Sequence, residues 1–245
     1  MSLQAPALWQ IPQLTQAEQP LLAQKIEQLE QRLLTIAQQH KNAKFAHSLA
    51  VEDTVIMDVI AKLSLKMTIF TLETGRLNAE TLALLQTLSE VYPQTAIKRY
   101  QPDPQQVEAY IAQYGKNGFY DSLTARKQCC FVRKVAPLNQ ALRDADAWLT
   151  GQRQAQSVTR QQLAFQEWDS SRQIAKYNPI FDWSEQDVWA YVLQFNLPFN
   201  DLYQQGYPSI GCEPCTRPVK RGEEIRAGRW WWENKENKEC GLHQA

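Results

Sequence analysis

The chain has 245 residues, enough for one large α/β domain with a full core. Its 26 Lys and Arg balance 26 Asp and Glu, so it lacks the basic excess of a non-specific nucleic-acid binder. No segment approaches the roughly 20 apolar residues of a bilayer span, and MSLQAPALWQIPQLTQ lacks the basic region and apolar run of a secretory signal.

A cytoplasmic setting follows as an expectation. There thiols stay reduced, so the five cysteines are expected as ligands, nucleophiles or core residues rather than disulfides.

Residues 16–40 place Leu21, Leu22, Ile26, Leu29, Leu33 and Ile36 at the spacing of an amphipathic helix, one that packs on the domain or on a partner subunit. Short β-type runs then alternate with helical patterns. Strands are predicted over 44–48, 67–72, 96–100 and 147–150. Helices are predicted over 52–63, 78–91, after Asp103, and over 135–143. Such alternation predicts a mostly parallel sheet with helices on both faces, and ligands bind such sheets at the carboxyl ends of the strands. The turns after Ser48, Leu72 and Thr150 are therefore expected to face the site. Ser184 is predicted to cap a helix over 184–193. After residue 200, Gly, Pro, Trp and charged residues break the pattern, and the polar 233–245 stretch is expected to form a mobile tail after a single domain over 1–232.

Four cysteines form two close pairs: the adjacent Cys129 and Cys130, and Cys212 and Cys215 in a CxxC. Paired thiolates hold zinc or an iron–sulfur cluster, and a bare CxxC also suits a redox dithiol. If the adjacent pair lies in an extended segment, its side chains point apart. That suits the separated corners of a cubane cluster better than one tetrahedral ion. Cations surround both pairs, with Arg126, Lys127, Arg133 and Lys134 near the first and Arg217 and Lys220 near the second. The 217–229 stretch carries five cations against Glu223 and Glu224, a local charge suited to a small anion. Cys240 stands apart in KECGLH, with Lys238 and His243 nearby. Adjacent cations favour a reactive thiolate.

The CC pair, IGCEPCTRP, GRWWWE and KECGLH together resemble the assimilatory reductases of the APS/PAPS (adenylylsulfate/phosphoadenylylsulfate) reductase family, over about residues 44–243. The combination of ECGLH with CC and CxxC is specific for the cluster-containing branch, which prefers APS. The resemblance implies an adenine nucleotide α-hydrolase-like fold and a 4Fe–4S cluster on Cys129, Cys130, Cys212 and Cys215. It implies attack by Cys240 on the sulfur of APS, release of AMP, and resolution of an S-sulfocysteine by thioredoxin to give sulfite. His243 would orient the anion or assist thiolate formation.

By motif position, Lys134, Arg160, Arg226 and Arg229, with Arg153 beside them, are expected to bind the substrate's anionic groups. Arg grips phosphate or sulfate with two donors. The family's phosphate loop corresponds to His47–Asp53, with Ser48 toward the nucleotide, but Leu49 and Ala50 stand where glycine is common. The second nucleotide motif reads Leu72-Glu73-Thr74-Gly75-Arg76, with Glu73 in place of Asp. The tryptophans at 230–232 are expected at the site entrance. Competing expectations are a PAPS reductase, a nucleotide-dependent RNA sulfur transferase, which neutral charge and ECGLH oppose, and a non-enzymatic metal or redox sensor.

Overall fold

The structure, a computed structural model, describes residues 7–13, 19–157 and 160–234. The elements are α1 (Gln19–Gln39), β1 (Ala43–Ala46), α2 (Val51–Lys62), β2 (Thr68–Leu72), α3 (Ala79–Val91), β3 (Ile97–Tyr100), α4 (Pro104–Tyr114), α5 (Leu123–Cys130), α6 (Ala136–Ala141), β4 (Ala147–Leu149), β5 (Gln166–Asp169), β6 (Ile174–Tyr177) and α7 (Glu185–Gln194). The sheet order is β3-β2-β1-β4-β6-β5. All neighbours pair parallel except the edge pair β5–β6, which is antiparallel. The predicted parallel α/β class is the one found. No helix among the described residues is long and apolar enough to cross a membrane.

The core lies where α1, α2 and α7 cover one face of the central strands. Leu22, Leu29, Leu33 and Ile36 of α1 are buried against α2, whose residues Val51 to Ile60 are buried on every side. Each such aliphatic side chain contributes about 1.5–3 kcal/mol on burial. Helix starts follow local chemistry. The Asp103 carboxylate accepts from the Gln105 N–H with Pro104 in the first turn, and Ser184 and Asp187 form a capping box.

Two segments differ from expectation. The cysteine pair is helical, not extended: Ser122 caps α5 by accepting the Ala125 N–H, and the helix formers at 125–128 carry the turn forward to Cys130. The helix predicted from 135 is thus the end of a longer helical run, joined to α5 by a π-helical turn at Phe131–Val135. The edge hairpin β5–β6 had no clear periodic signal, because each strand has four residues and the turn between them contains no glycine. Gln173 supplies its left-handed residue, at φ 56°.

Candidate active site

A cavity of about 210 Å³ opens at the carboxyl ends of β1, β2 and β4. The turns after Ser48, Leu72 and Thr150 all border it, as the strand order requires. Phe70, Leu72, Leu138 and Trp148 give its lining apolar surface, and the same lining carries four cations and the carboxylates of Glu52 and Asp53.

The turn after β1 solves its lack of glycine locally. Leu49 sits at φ 67°, in left-handed space that strains a branched side chain, and its N–H donates to His47 Nδ1 at 3.1 Å. The Ser48 N–H donates to Asp53 Oδ2 at 2.6 Å, and the Ser48 hydroxyl donates to the same oxygen. Burial, opposed by these hydrogen bonds, pushes the Asp53 carboxyl up to about 7, so Asp53 holds a proton for part of the time at neutral pH. Gly151 lies against it, where a Cβ would meet Asp53 Oδ1 at 2.2 Å, so only glycine fits. Burial depresses the His47 imidazole to about 3, leaving it neutral.

Four expected cations, Lys134, Arg160, Arg226 and Arg229, border the cavity. Lys134 comes from the π-helical turn and Arg229 from the segment after the CxxC. Arg229 is held by its Nη1, which donates to the Ile210 carbonyl at 3.1 Å, and stands 4.8 Å from the Trp230 ring centroid. Arg153 is not among the lining residues. Its buried guanidinium donates through Nε and Nη2 to Glu52 Oε1 at 3.1 and 2.7 Å and through Nη1 to the Trp183 carbonyl. Gln156 joins this pair to the site: its Nε2 donates to Glu52 Oε1, and its Oε1 accepts from Arg160 Nη1. Arg153 therefore supports Arg160 from behind rather than facing the cavity.

The 72–76 motif divides between two sites. Thr74 borders the nucleotide-sized cavity, and its hydroxyl lies 3.3 Å from Cys212 Sγ. Gly75, at φ 69°, lets the Arg133 guanidinium approach, since a Cβ there would stand 3.3 Å from Arg133 Nη1, which donates to the Thr74 carbonyl. Arg76 turns to a second cavity. Glu73 faces Arg99 at 3.9 Å, on the sheet edge away from both.

That second cavity is bordered by Cys129, Cys130, Cys212 and Cys215, all free thiols, together with Phe119, Trp230, Arg76, Arg126, Arg133 and Lys134. Among the described residues, no group of three or more His, Cys, Asp or Glu is placed to hold a metal ion. Burial raises the Cys129 thiol, and burial with repulsion from Cys212 pushes Cys215 up to about 12. At Cys212, burial is outweighed by Lys134, the Thr74 hydrogen bond, Arg229 and Arg133, and the thiol is lowered. Lys134, Cys212 and Trp230 border both cavities, so the thiol site adjoins the nucleotide-sized one. Of the three tryptophans, Trp230 is buried between the sites, Trp232 packs on Tyr120, and Trp231 is partly exposed. Cys240 and His243 lie outside the described residues.

Sequence reasoning passed over His47, Asp53, Gly151 and Gln152 as individual site residues. The strand-end turns pointed to all four only as segments, and the phosphate-loop match over His47–Asp53 singled out Ser48 rather than His47 or Asp53. Gln156 carried no sequence signal, because its importance comes from Glu52, distant in the chain; Arg126 was expected only as a cation near the cysteine pair, and its buried ion pair with Glu233 was not foreseen.

The mostly parallel sheet between helices, with its cavity at the carboxyl ends of the strands, is of the adenine nucleotide α-hydrolase-like fold class. The family described as "Phosphoadenosine phosphosulfate reductase domain" matches residues 42–218. A protein named adenosine 5'-phosphosulfate reductase from Neisseria meningitidis serogroup A / serotype 4A is 58% identical over 100% of both chains. One of the same name from Burkholderia cepacia is 51% identical over 91% of this chain and 89% of its own. A crystal structure of phosphoadenylyl-sulfate (PAPS) reductase from Candida auris matches in fold with a TM-score of 0.67 at 24% identity, over 84% of this chain and 99% of that one. The chain belongs to the phosphoadenosine phosphosulfate reductase domain family.

Proposed function

We propose that this chain is an oxidoreductase of sulfate assimilation that reduces adenylylsulfate to sulfite and AMP. The observation that carries this reading is the shared border at Lys134, Cys212 and Trp230, which joins a nucleotide-sized cavity to a four-thiol site. The relatives named adenosine 5'-phosphosulfate reductase support the choice of substrate.

The adenosine would lie against the apolar lining residues, Phe70, Leu72, Leu138 and Trp148, and Lys134, Arg160, Arg226 and Arg229 would face the phosphate and sulfate. A thiolate approaching that dianion meets like charge, and these cations offset it where charge builds on the phosphate oxygen that leaves. The Cys240 sulfur attacks the sulfate sulfur, the sulfur–oxygen bond to phosphate breaks, and AMP departs with the electron pair. Cys240 then carries an S-sulfo group. A dithiol of the thioredoxin class attacks the Cys240 sulfur, sulfite leaves with the bonding pair, and the second thiol closes a disulfide and frees Cys240. The two electrons come from that dithiol.

Cys129, Cys130, Cys212 and Cys215 would hold a 4Fe–4S cluster. They suit it because all four thiols border one cavity, and cations border the same space. When bound, the cluster supplies a compact anionic body beside Lys134. Iron and acid-labile sulfide in anaerobically purified protein are expected near four of each per chain. Zinc in their place sinks the cluster assignment.

Intact-mass measurement after anaerobic incubation with adenylylsulfate, without reductant, is expected to show one added SO₃ group, mapped by peptide analysis to Cys240. The same adduct with the 3'-phosphorylated substrate would void the preference for adenylylsulfate. No adduct from folded, cofactor-loaded protein would overturn the covalent route and favour the sensor or RNA-sulfuration readings.

A further inference from the structure

The segment ahead of α1 is strapped to the loop that carries Arg226. The Trp9 N–H donates to the Val219 carbonyl and the Arg221 N–H to the Ala7 carbonyl, both at 2.9 Å, and Leu8 and Lys220 pair as an antiparallel bridge. On the other edge of the same arm, the Val219 N–H donates to the Gly206 carbonyl at 2.8 Å. Leu8 lies on Gly206, where a Cβ would meet the Leu8 Cβ at 2.9 Å. Residues 219–221 are thus held between two strips of backbone.

Trp9 anchors the strap. Its rings stand 6.2 Å from Trp189 and 6.3 Å from Tyr203, and its side chain donates a hydrogen bond to the Glu185 carboxylate. Trp9 is not among the residues that border the nucleotide-sized cavity, but the loop it fastens reaches that cavity. The Arg217 N–H donates to the Gly228 carbonyl at 3.1 Å and Thr216 pairs with Arg229, so residues 218–227 form one loop. Its outgoing arm is strapped, its tip at 220–224 is exposed, and its return brings Ile225 and Arg226 to the cavity. A guanidinium on an exposed loop meets an anion reproducibly only if its backbone is already fixed. A loop that must be ordered during binding subtracts that cost from affinity.

Resting on the reductase reading, we propose that Trp9 is a positioning residue: it docks the strap that fixes the 219–221 arm and so pre-orders Arg226 for the anionic end of the substrate. Its effect falls on the anion and spares the nucleoside.

The test is calorimetric titration of the full chain with adenosine and with ADP, in which a second phosphate stands for the sulfate and cannot sulfonate a thiol. Trp9→Ala keeps the backbone N–H and removes the anchor. It is expected to bind ADP about tenfold more weakly and adenosine within about twofold of wild type. Trp9→Phe, which keeps an aromatic ring, should restore ADP affinity to within about threefold. Amide exchange followed by NMR supplies the internal control. The Arg221 N–H, bonded to the strap, should exchange at least about tenfold faster in Trp9→Ala, while the Val219 N–H, bonded to Gly206, keeps its wild-type rate. Unchanged ADP affinity overturns the proposal while the reductase reading stands. An equal loss for ADP and adenosine also overturns it and makes Trp9 a core residue alone. Wild-type protein that binds neither ADP nor AMP sinks the reading beneath it. Should Trp9→Ala fail to fold, the wild type decides by reciprocity: ADP, and not adenosine, should slow exchange of the Trp9 and Arg221 amides. Rates that ADP leaves unmoved overturn the proposal.

Discussion

Replacing Cys240 by serine is expected to lower the rate of sulfite formation by at least about a thousandfold, with AMP affinity within about twofold of wild type. The difference is chemical. A thiol loses its proton near neutral pH and its sulfur is polarisable, whereas a serine hydroxyl stays protonated unless a base is aimed at it. The variant keeps every described residue that borders either cavity, since those all precede residue 231. Nucleotide affinity is therefore a control that turnover is not. The measurement is sulfite released under excess dithiol reductant, beside AMP binding on the same preparation. Turnover that survives at more than a tenth of the wild-type rate would rule Cys240 out as the nucleophile. It would direct attention to a thiol within the described site, of which Cys129 is the most exposed. Loss of AMP binding together with turnover would instead mean that the 235–245 stretch contributes to the nucleotide site.

How much of this was readable beforehand depended on whether the signal was local. Strand–helix alternation is a local pattern. The parallel sheet and the turns at its carboxyl edge were therefore legible from the apolar runs around Phe45, Ile69 and Leu149. The cap at Ser184 was legible for the same reason. Three features were not. The helical state of Cys129 and Cys130 depends on Ser122, seven residues before the first of them, which no cysteine motif includes. The four-residue strands β5 and β6 gain their stability from pairing, not from their own propensity. The glycine-free turn looked poorly suited to approach a phosphate, because the compensating acceptor, His47 Nδ1, is visible only once the turn has closed on itself.

Arg153 shows the same limit from the other side, and it carries the largest expected effect on stability. In sequence it is one more arginine in a basic, turn-rich stretch, and an anion-binding role was the natural expectation. In the fold its side chain is 3% exposed and the Glu52 side chain 10%, and two of its nitrogens share one carboxylate oxygen. A pair this deep gains little over a well-packed apolar pair, but removing one partner strands a charge. Arg153→Met is thus expected to cost about 3–5 kcal/mol in urea denaturation, and Glu52→Gln a comparable amount. The double variant should cost clearly less than the two single losses combined, with a coupling of at least about 1.5 kcal/mol. A single-variant loss below about 1 kcal/mol would mean that water reaches the pair and that the burial assigned to it is wrong. Milder changes reach the site as well. Gln156 connects Glu52 to Arg160, so a folded Arg153→Lys variant, which keeps the charge but loses the two-nitrogen grip, should raise KM for adenylylsulfate more than it lowers kcat. The reverse pattern would place Arg153 in contact with the reacting groups. Arg160 thus depends on a charge pair of which only Glu52 borders the cavity, and the adjacent α2 residues divide the work: Glu52 anchors Arg153, and Asp53 closes the turn that carries His47.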